Sequence, residues 1–526
     1  MTGEDNTADM TVSELDAVEL EIVRNQLKNV AEEMGEVLVR GASSPNITER
    51  RDCSTALFDA AGRMVAQAEH IPVHLGAMPG AVETVRKQDP QPGETYILND
   101  PFRGGTHLPD ITLVSTVAPN DVIVGYVVSR AHHADVGGMA PGSMPAGARD
   151  IQQEGLRIPP VRFEAKGTID DAVESLVLAN VRNPTERRAD LRAQFGANKR
   201  GRQRVAALLT DHGDKLLDAF DAVIDYSRKR LKAELADIPD GTYDASGVME
   251  GDGVTDEDIP ISVTVTVDGS AIEVDFTGTA VQVAGNINAP LAVAKSAIYF
   301  VVRTVTDPEI PPNHGCYEPV TVRAPTGCLV NPEPPAAVVG GNVETSQRIA
   351  DVTASALAKA APERVPAQGQ GTMNNLIIGS STFTYYETIG GGTGANPDSD
   401  GLSAVQVGMT NTRNTPIEAL EATYPLHVER YAVRRDSGGD GQYEGGDGIV
   451  RTVTLQEDAT VSLLSERRQH TPNGSLGGTD GKRGTNIIDD ETVPSKVTRE
   501  VTAGTKVTVE TPGGGGYGTP DSAETE

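Results

Sequence analysis

Three short segments between Asp52 and Asp135 gather residue types that bind metal ions. They are Arg51-Asp52-Cys53, then Gly104-Gly105-Thr106-His107-Leu108-Pro109-Asp110, then His132-His133-Ala134-Asp135-Val136-Gly137-Gly138. The chain has nine histidines, and three of them fall in the second and third segments. Imidazole and carboxylate together suit a divalent first-row metal such as zinc or manganese. A metal-dependent reaction on a polar substrate is therefore the leading expectation.

His107 and Asp110 lie three apart across a proline. Pro109 and the two preceding glycines disfavour a helix, so a strand-to-loop turn would aim both at one cation. The plainer alternative is that Asp110 caps a turn while His107 packs. His132 ends an apolar run, and strand ends are where sites are often presented. Adjacent residues on a strand face opposite sides. One of His132 and His133 is thus expected to bind, while the other, or Asp135, orients a ligand. Asp52 is a fourth candidate ligand; an ion pair with Arg50 or Arg51 is its alternative. His70 and His74 flank Pro72, which argues for a loop over the site with a ligand role secondary. Cys53, Cys316 and Cys328 are an odd number at wide spacing, and offer neither a disulfide framework nor a CxxC zinc site. Cys53 is better read as a small buried hydrophobe than as a nucleophile. Gly477-Gly478-Thr479-Asp480-Gly481-Lys482-Arg483 fails as a phosphate loop: Leu476 replaces the upstream glycine and Arg483 the hydroxyl residue. Gly390 to Gly394 lacks dinucleotide spacing. No Gly-x-Ser-x-Gly elbow occurs.

Several elements must position these groups. Helical spacing of Leu15, Val18, Ile22, Val23, Leu27, Val30, Met34 and Leu38 predicts a helix from a cap at Ser13 to about Arg40, ended by Gly41. Ala56-Leu57-Phe58, Tyr96-Ile97-Leu98 and Val122 to Val128 are strand-like. A basic helical stretch runs from about Pro184 to Lys232. Asp268-Gly269 between two alternating runs predicts a hairpin. A further helix is expected near Glu344 to Ala360. The overall expectation is an α+β, multi-domain chain. It has a disordered tail over 1–10, a mixed α/β metal-binding region over 11–235 and a β-rich domain over 236–335. A β-rich, glycine-punctuated domain over 336–518 and a tail over 519–526 follow.

Composition narrows the class. The 526 residues carry 75 acids against 45 bases, a net charge of −30, with 12 lysines against 33 arginines. Such acidity keeps a surface hydrated where salt screens repulsion, as in a cytosolic protein of a salt-loving organism. No basic stripe exists to neutralise phosphates, so nucleic acid is not an expected partner. No stretch reaches the roughly 18 apolar residues of a membrane helix. A cytoplasmic location is expected.

Together the motifs resemble the B subunit of the hydantoinase/oxoprolinase family. The matching runs include Glu49-Arg50-Arg51-Asp52-Cys53-Ser54, His70-Ile71-Pro72-Val73-His74-Leu75-Gly76 and Asn99-Asp100-Pro101-Phe102. The two histidine segments also match, as do Asn183-Pro184, Gly340 to Arg348, Thr410 to Glu418 and Thr511 to Gly518. The resemblance covers nearly the whole chain. Cys53 departs from it, since an aromatic is common there.

The resemblance implies a divalent metal held by Asp52, His107, Asp110 and His132, with ATP handled by an A-type partner subunit of actin-like fold in a hetero-oligomer. It implies opening of a cyclic amide or imide ring, as in hydantoins or 5-oxoproline. His133 and Asp135 would move protons or orient a ligand. A ketone carboxylase subunit of the acetone carboxylase kind is the second reading, and a non-catalytic scaffold for the partner is the third.

Overall fold

The computed structural model describes residues 16–69 and 71–520. His70, Ser13, Leu15 and the two expected tails, 519 and 520 excepted, lie outside the described residues. Helix α1, Ala17–Gly41, is capped by Asp16, whose carboxylate accepts from the amides of Val18 and Glu19. Its apolar stripe is buried from Val23 onward, through Leu27, Val30, Met34 and Leu38. Val18 and Ile22, expected on that stripe, are 68% and 50% exposed. The basic stretch forms two helices, α2 (Pro184–His212) and α3 (Lys215–Leu235), because Gly213 takes a positive φ between them.

These helices cover a seven-stranded antiparallel sheet. Its strands are β1 (Cys53–Asp59), β2 (Met64–Glu69), β3 (Glu94–Leu98), β4 (Asp110–Val117), β5 (Gly125–His132), β6 (Val161–Ala165) and β7 (Thr168–Ile169), in the order β2-β1-β5-β4-β3-β6-β7. β5 starts three residues later than the apolar run from Val122 predicts. Asn120 and Asp121 hold left-handed conformations, and the Val124 amide closes the turn on Val117. Alternation sorts the two faces. Leu57, Val127 and Ala131 meet α1, α2 and α3. Ala56, Phe58, Val114, Tyr126 and Val128 face the other way.

That second face shares one apolar core with a four-stranded sheet. Its strands are β8 (Gly241–Glu250), β9 (Asp258–Asp268), β10 (Ala271–Asp275) and β11 (Val320–Arg323), in the order β11-β10-β9-β8. Asp268 pairs with Ala271 across the expected tight turn. The stretch 236–335 also holds helix α4, Leu291–Thr304. Helix α5, Ser346–Leu357, follows a π-helical turn over Gly341–Thr345.

Among the described residues nine further strands follow: β12 (Asn375–Gly379), β13 (Thr384–Thr388), β14 (Leu426–Arg434), β15 (Gly448–Leu455), β16 (Ala459–Leu464), β17 (Thr485–Ile488), β18 (Glu491–Val493), β19 (Lys496–Val501) and β20 (Lys506–Glu510). They form two sheets, β13-β12-β16-β19 and β14-β15-β20-β17-β18, packed about Leu376, Tyr385, Val453 and Val507. Beside them runs a glycine thread. The amides of Gly513, Gly514, Gly515 and Gly516 donate to the carbonyls of Lys482, Gly446, Gln368 and Thr479. A Cβ on Gly514 would lie 1.8 Å from the Thr393 oxygen, so no side chain fits there. The architecture is thus α+β with four sheets. Among the described residues no helix is long and apolar enough to cross a membrane.

Candidate metal centre

The site forms where β4 begins and β5 ends. Antiparallel register places Asp110 directly opposite His132. Arg130 and His132 share the face of Val128, and Asp110 and Thr112 share that of Val114. His107 comes back toward Asp110 through a tight loop: the Asp110 amide donates to the His107 carbonyl at 3.1 Å. Asn99 braces this loop, with its Nδ2 donating to the Leu108 carbonyl at 2.7 Å. Gly104, at φ 92°, has no room for a Cβ, which would sit 2.5 Å from the Gly80 backbone. Arg130 Nε donates to Thr112 Oγ1 at 2.8 Å and its Nη2 to the Gly104 carbonyl at 3.0 Å, tying strand to loop.

One carboxylate is the hub. Asp110 Oδ1 lies 2.9 Å from His107 Nε2 and 3.3 Å from His132 Nδ1. Its Oδ2 accepts from Thr106 Oγ1 at 2.5 Å and lies 3.4 Å from His74 Nε2. Ligand atoms of His107, Asp110 and His132 all fall within 4.8 Å of one another. Every one of these side chains is buried. Burial alone would raise the Asp110 carboxyl. The charge and hydrogen bond of His107, with the contacts to His132 and His74, instead hold it well below the usual carboxylate range. Burial lowers His132 against the pull of Asp110, which favours the neutral imidazole that metals bind.

Polar atoms left over in this pocket support a cation. His107 Nδ1, His132 Nε2 and His74 Nε2 are buried without a hydrogen-bond partner. Three imidazoles converging on one ionised carboxylate, with unused nitrogens, make a donor set that fits a divalent first-row ion. The neighbouring shell is aromatic and cationic. Tyr386 of β13 stacks on His132, with centroids 4.7 Å apart, and Arg50 lies over the Tyr386 ring at 4.5 Å. Tyr386 Oη donates to Asn375 Oδ1 at 2.9 Å, and Asn375 Nδ2 donates to Glu344 Oε1 at 2.8 Å.

The remaining candidates take other places. Asp52 is buried next to the site; its carbonyl accepts from the His132 amide at 3.0 Å, but its carboxylate is not among the atoms meeting within 4.8 Å. His133 points to the helix side, as strand parity requires, with Nε2 2.9 Å from Gln194 Oε1 of α2. Burial, together with Arg187 and His132, lowers it to about 4. Asp135 is taken up by its own loop: its oxygens accept from the amides of Gly137, Gly142 and Arg182 and from Arg182 Nη1 at 3.0 Å. His74 comes nearer the hub than its loop reading suggests, fixed through Nδ1, which lies 3.0 Å from Ser54 Oγ. Thr106 and Arg50 stand inside matched motifs, whereas Tyr386 carries no local signal. Burial pushes the Cys53 thiol far above its ordinary value, in keeping with an inert residue.

Residues 16–520 match the hydantoinase B/oxoprolinase family. An uncharacterised protein of Methanocaldococcus jannaschii is 40% identical, over 96% of this chain and 91% of its own length. A 5-oxoprolinase of Dictyostelium discoideum is 39% identical over 98% of this chain, which spans 41% of that longer protein. Among solved structures, the ATP-dependent caprolactamase of Pseudomonas jessenii superposes with a TM-score of 0.90 at 29% identity, covering 96% of this chain and 91% of that one. With matches of this length and identity, the chain belongs to the hydantoinase B/oxoprolinase family.

Proposed function

We propose that this chain is the B-type subunit of an ATP-dependent amidohydrolase that opens a cyclic amide or imide ring, with ATP used by an A-type partner subunit. The observation that carries the reading is the convergence of His107, Asp110 and His132 on one buried point. The likeness to an ATP-dependent caprolactamase and a 5-oxoprolinase supplies the reaction class. His107, Asp110 and His132 would hold zinc or manganese, with Asp52 beside them as the fourth candidate. A divalent ion held there would supply Lewis acidity.

The chain's own residues do the rest. Asp110 stays ionised because three imidazoles and Thr106 Oγ1 surround it. Tyr386 fixes the plane of His132, and the buried setting excludes bulk water, strengthening every charge interaction inside. His133 and Asp135 act as positioning residues: the first anchors the end of β5 to α2, the second shapes the loop that follows. A resonance-stabilised lactam resists attack, which is why ATP is spent on activating the amide oxygen.

The test is co-expression with the A-type partner, followed by ADP release with 5-oxoproline, hydantoins, caprolactam and ketones. ADP release coupled to a ring-opened product, without bicarbonate, is expected. Turnover only with a ketone and bicarbonate would replace this reading by a carboxylase.

A further inference from the structure

We infer that His74 is a positioning residue of the metal centre. Held by Ser54 through one ring nitrogen, it turns the other onto Asp110 and so fixes which carboxylate oxygen is left for the ion. The inference rests on the reading of His107, Asp110 and His132 as a metal site.

Strand register brings the partners to one face. Ser54 of β1 pairs with Arg130 of β5, and Arg130 pairs with Thr112 of β4. This row lies two residues along from the one that sets His132 opposite Asp110, so Ser54 and Asp110 share a face of the sheet. His74 reaches that face from a separate segment. It ends the short helical turn Pro72–His74, in which the Leu75 amide donates back to the Pro72 carbonyl at 3.0 Å. Ile71 and Val73 are sunk in the apolar core, and the Gly76 amide donates to Ser296 Oγ of α4 at 2.9 Å. The turn is thus clamped on both sides of the histidine, whose side chain is 1% exposed.

The two ring nitrogens meet different groups. Nδ1 lies 3.0 Å from Ser54 Oγ. Nε2 has no hydrogen-bond partner and lies 3.4 Å from Asp110 Oδ2. A bare lone pair on Nε2 would repel a buried carboxylate, whereas an Nε2–H attracts it, so electrostatics selects the tautomer in which Ser54 donates to Nδ1. A closing of about 0.3 Å would bring Nε2 and Oδ2 within ordinary N–H···O range. Oδ2 already accepts from Thr106 Oγ1 at 2.5 Å. With Thr106 and His74 both on Oδ2, Oδ1 is the oxygen turned to His107 Nε2 at 2.9 Å and His132 Nδ1 at 3.3 Å. His74 is not among the residues whose ligand atoms meet within 4.8 Å, which places it behind the carboxylate and not on the ion. A ring N–H behind a ligating carboxylate holds it in one orientation.

The experiment is titration of the metal-free full chain with zinc against a chromophoric chelator, then loading with cobalt(II) to read the coordination from its visible spectrum. One tightly held ion is expected in the unaltered chain. His74→Leu should bind it about 10- to 100-fold more weakly. Its cobalt bands should also change, since a released carboxylate can offer both oxygens. His74→Gln keeps an N–H near the Nε2 position and should restore most of the affinity and the parent spectrum. Ser54→Ala should fall between the two. Should His74→Leu not fold, crystals of the unaltered chain soaked in zinc give a second reading: Asp110 on the ion through Oδ1 alone, with His74 Nε2 bonded to Oδ2. Affinity and spectrum unchanged in folded His74→Leu, no rescue by Gln, or His74 itself on the ion would overturn the inference and leave the metal site standing. No bound ion in the unaltered chain would overturn the metal reading and the inference with it.

Discussion

Replacing Glu344 by Gln should flatten the alkaline side of the stability profile. Glu344 lies in the π-helical turn before α5, fully buried. Its Oε1 accepts from Asn375 Nδ2 at 2.8 Å and from the Met373 amide at 3.1 Å, while Oε2 meets no donor. The carboxyl ionises near 4.5 in the unfolded chain and near 8 in the folded one. Folding therefore favours the protonated acid. The stability it contributes is fully present below pH 4.5 and is lost as pH rises through about 8. At about 1.4 kcal/mol per pH unit, that interval corresponds to about 5 kcal/mol. Glutamine keeps the Oε1 acceptor and carries no charge at any pH. The amide it places at the unpartnered Oε2 position adds an offset that does not change with pH. Guanidinium unfolding of both proteins from pH 5 to 9, at constant salt, should show the variant gaining on the parent by several kcal/mol. Parallel profiles across that range would refute the reasoning, since they would mean that Glu344 is ionised in the folded chain at every pH tested.

Three further outcomes follow from the proposed metal centre. His107→Ala should lose bound metal and ring-opening activity while its circular dichroism is unchanged; metal retained at the parent's stoichiometry would remove His107 from the ligand set. Gly104→Ala sets a Cβ against the Gly80 backbone at a positive φ. It should cost about 1–3 kcal/mol in thermal unfolding and lower metal occupancy, because that loop carries His107. Asp135→Asn loses its charge opposite Arg182 and should destabilise by about 1–3 kcal/mol, with faster proteolysis at Gly137–Ser143 and unaltered metal content. A loss of metal in this variant would instead draw Asp135 into the centre itself.

Much of the centre could be read from the chain because histidine is sparse and its neighbours constrain it. Pro109 and the paired glycines rule out a helix, and an apolar strand ending at His132 leaves strand register to bring the segments together. The same parity argument separates His132 from His133. Nothing local reports that Tyr386 and Arg50 enclose the site. The Arg50 Nη1 contact to the Tyr386 carbonyl joins residues 336 apart in sequence, and such pairing is decided by packing of whole sheets. Asp135 illustrates a different obstacle. A carboxylate in a glycine-rich loop has one spelling whether it serves a metal or its own backbone amides, and only the positions of Gly137, Gly142 and Arg182 distinguish the two. Helix α4 is hidden because its apolar, β-branched sequence, with Val301 and Val302, suits a strand as well, and tertiary burial decides.

The glycine thread has a bearing on biosynthesis. Residues 513–516 supply partners to Gln368, Gly446, Thr479 and Lys482, all made earlier during translation. Until the thread leaves the ribosome, those carbonyls and the narrow slot between them are open to water and to other nascent chains. Folding units generally form in the order of synthesis, yet here segments from 368 to 482 are laced together by one that is made after them. The seam among Gln368, Gly446, Thr479 and Lys482 therefore stays unfilled until residues 513–516 are made. Sealing that seam, with backbone amides alone and no side chain to misplace, is a late event in the maturation of the C-terminal sheets.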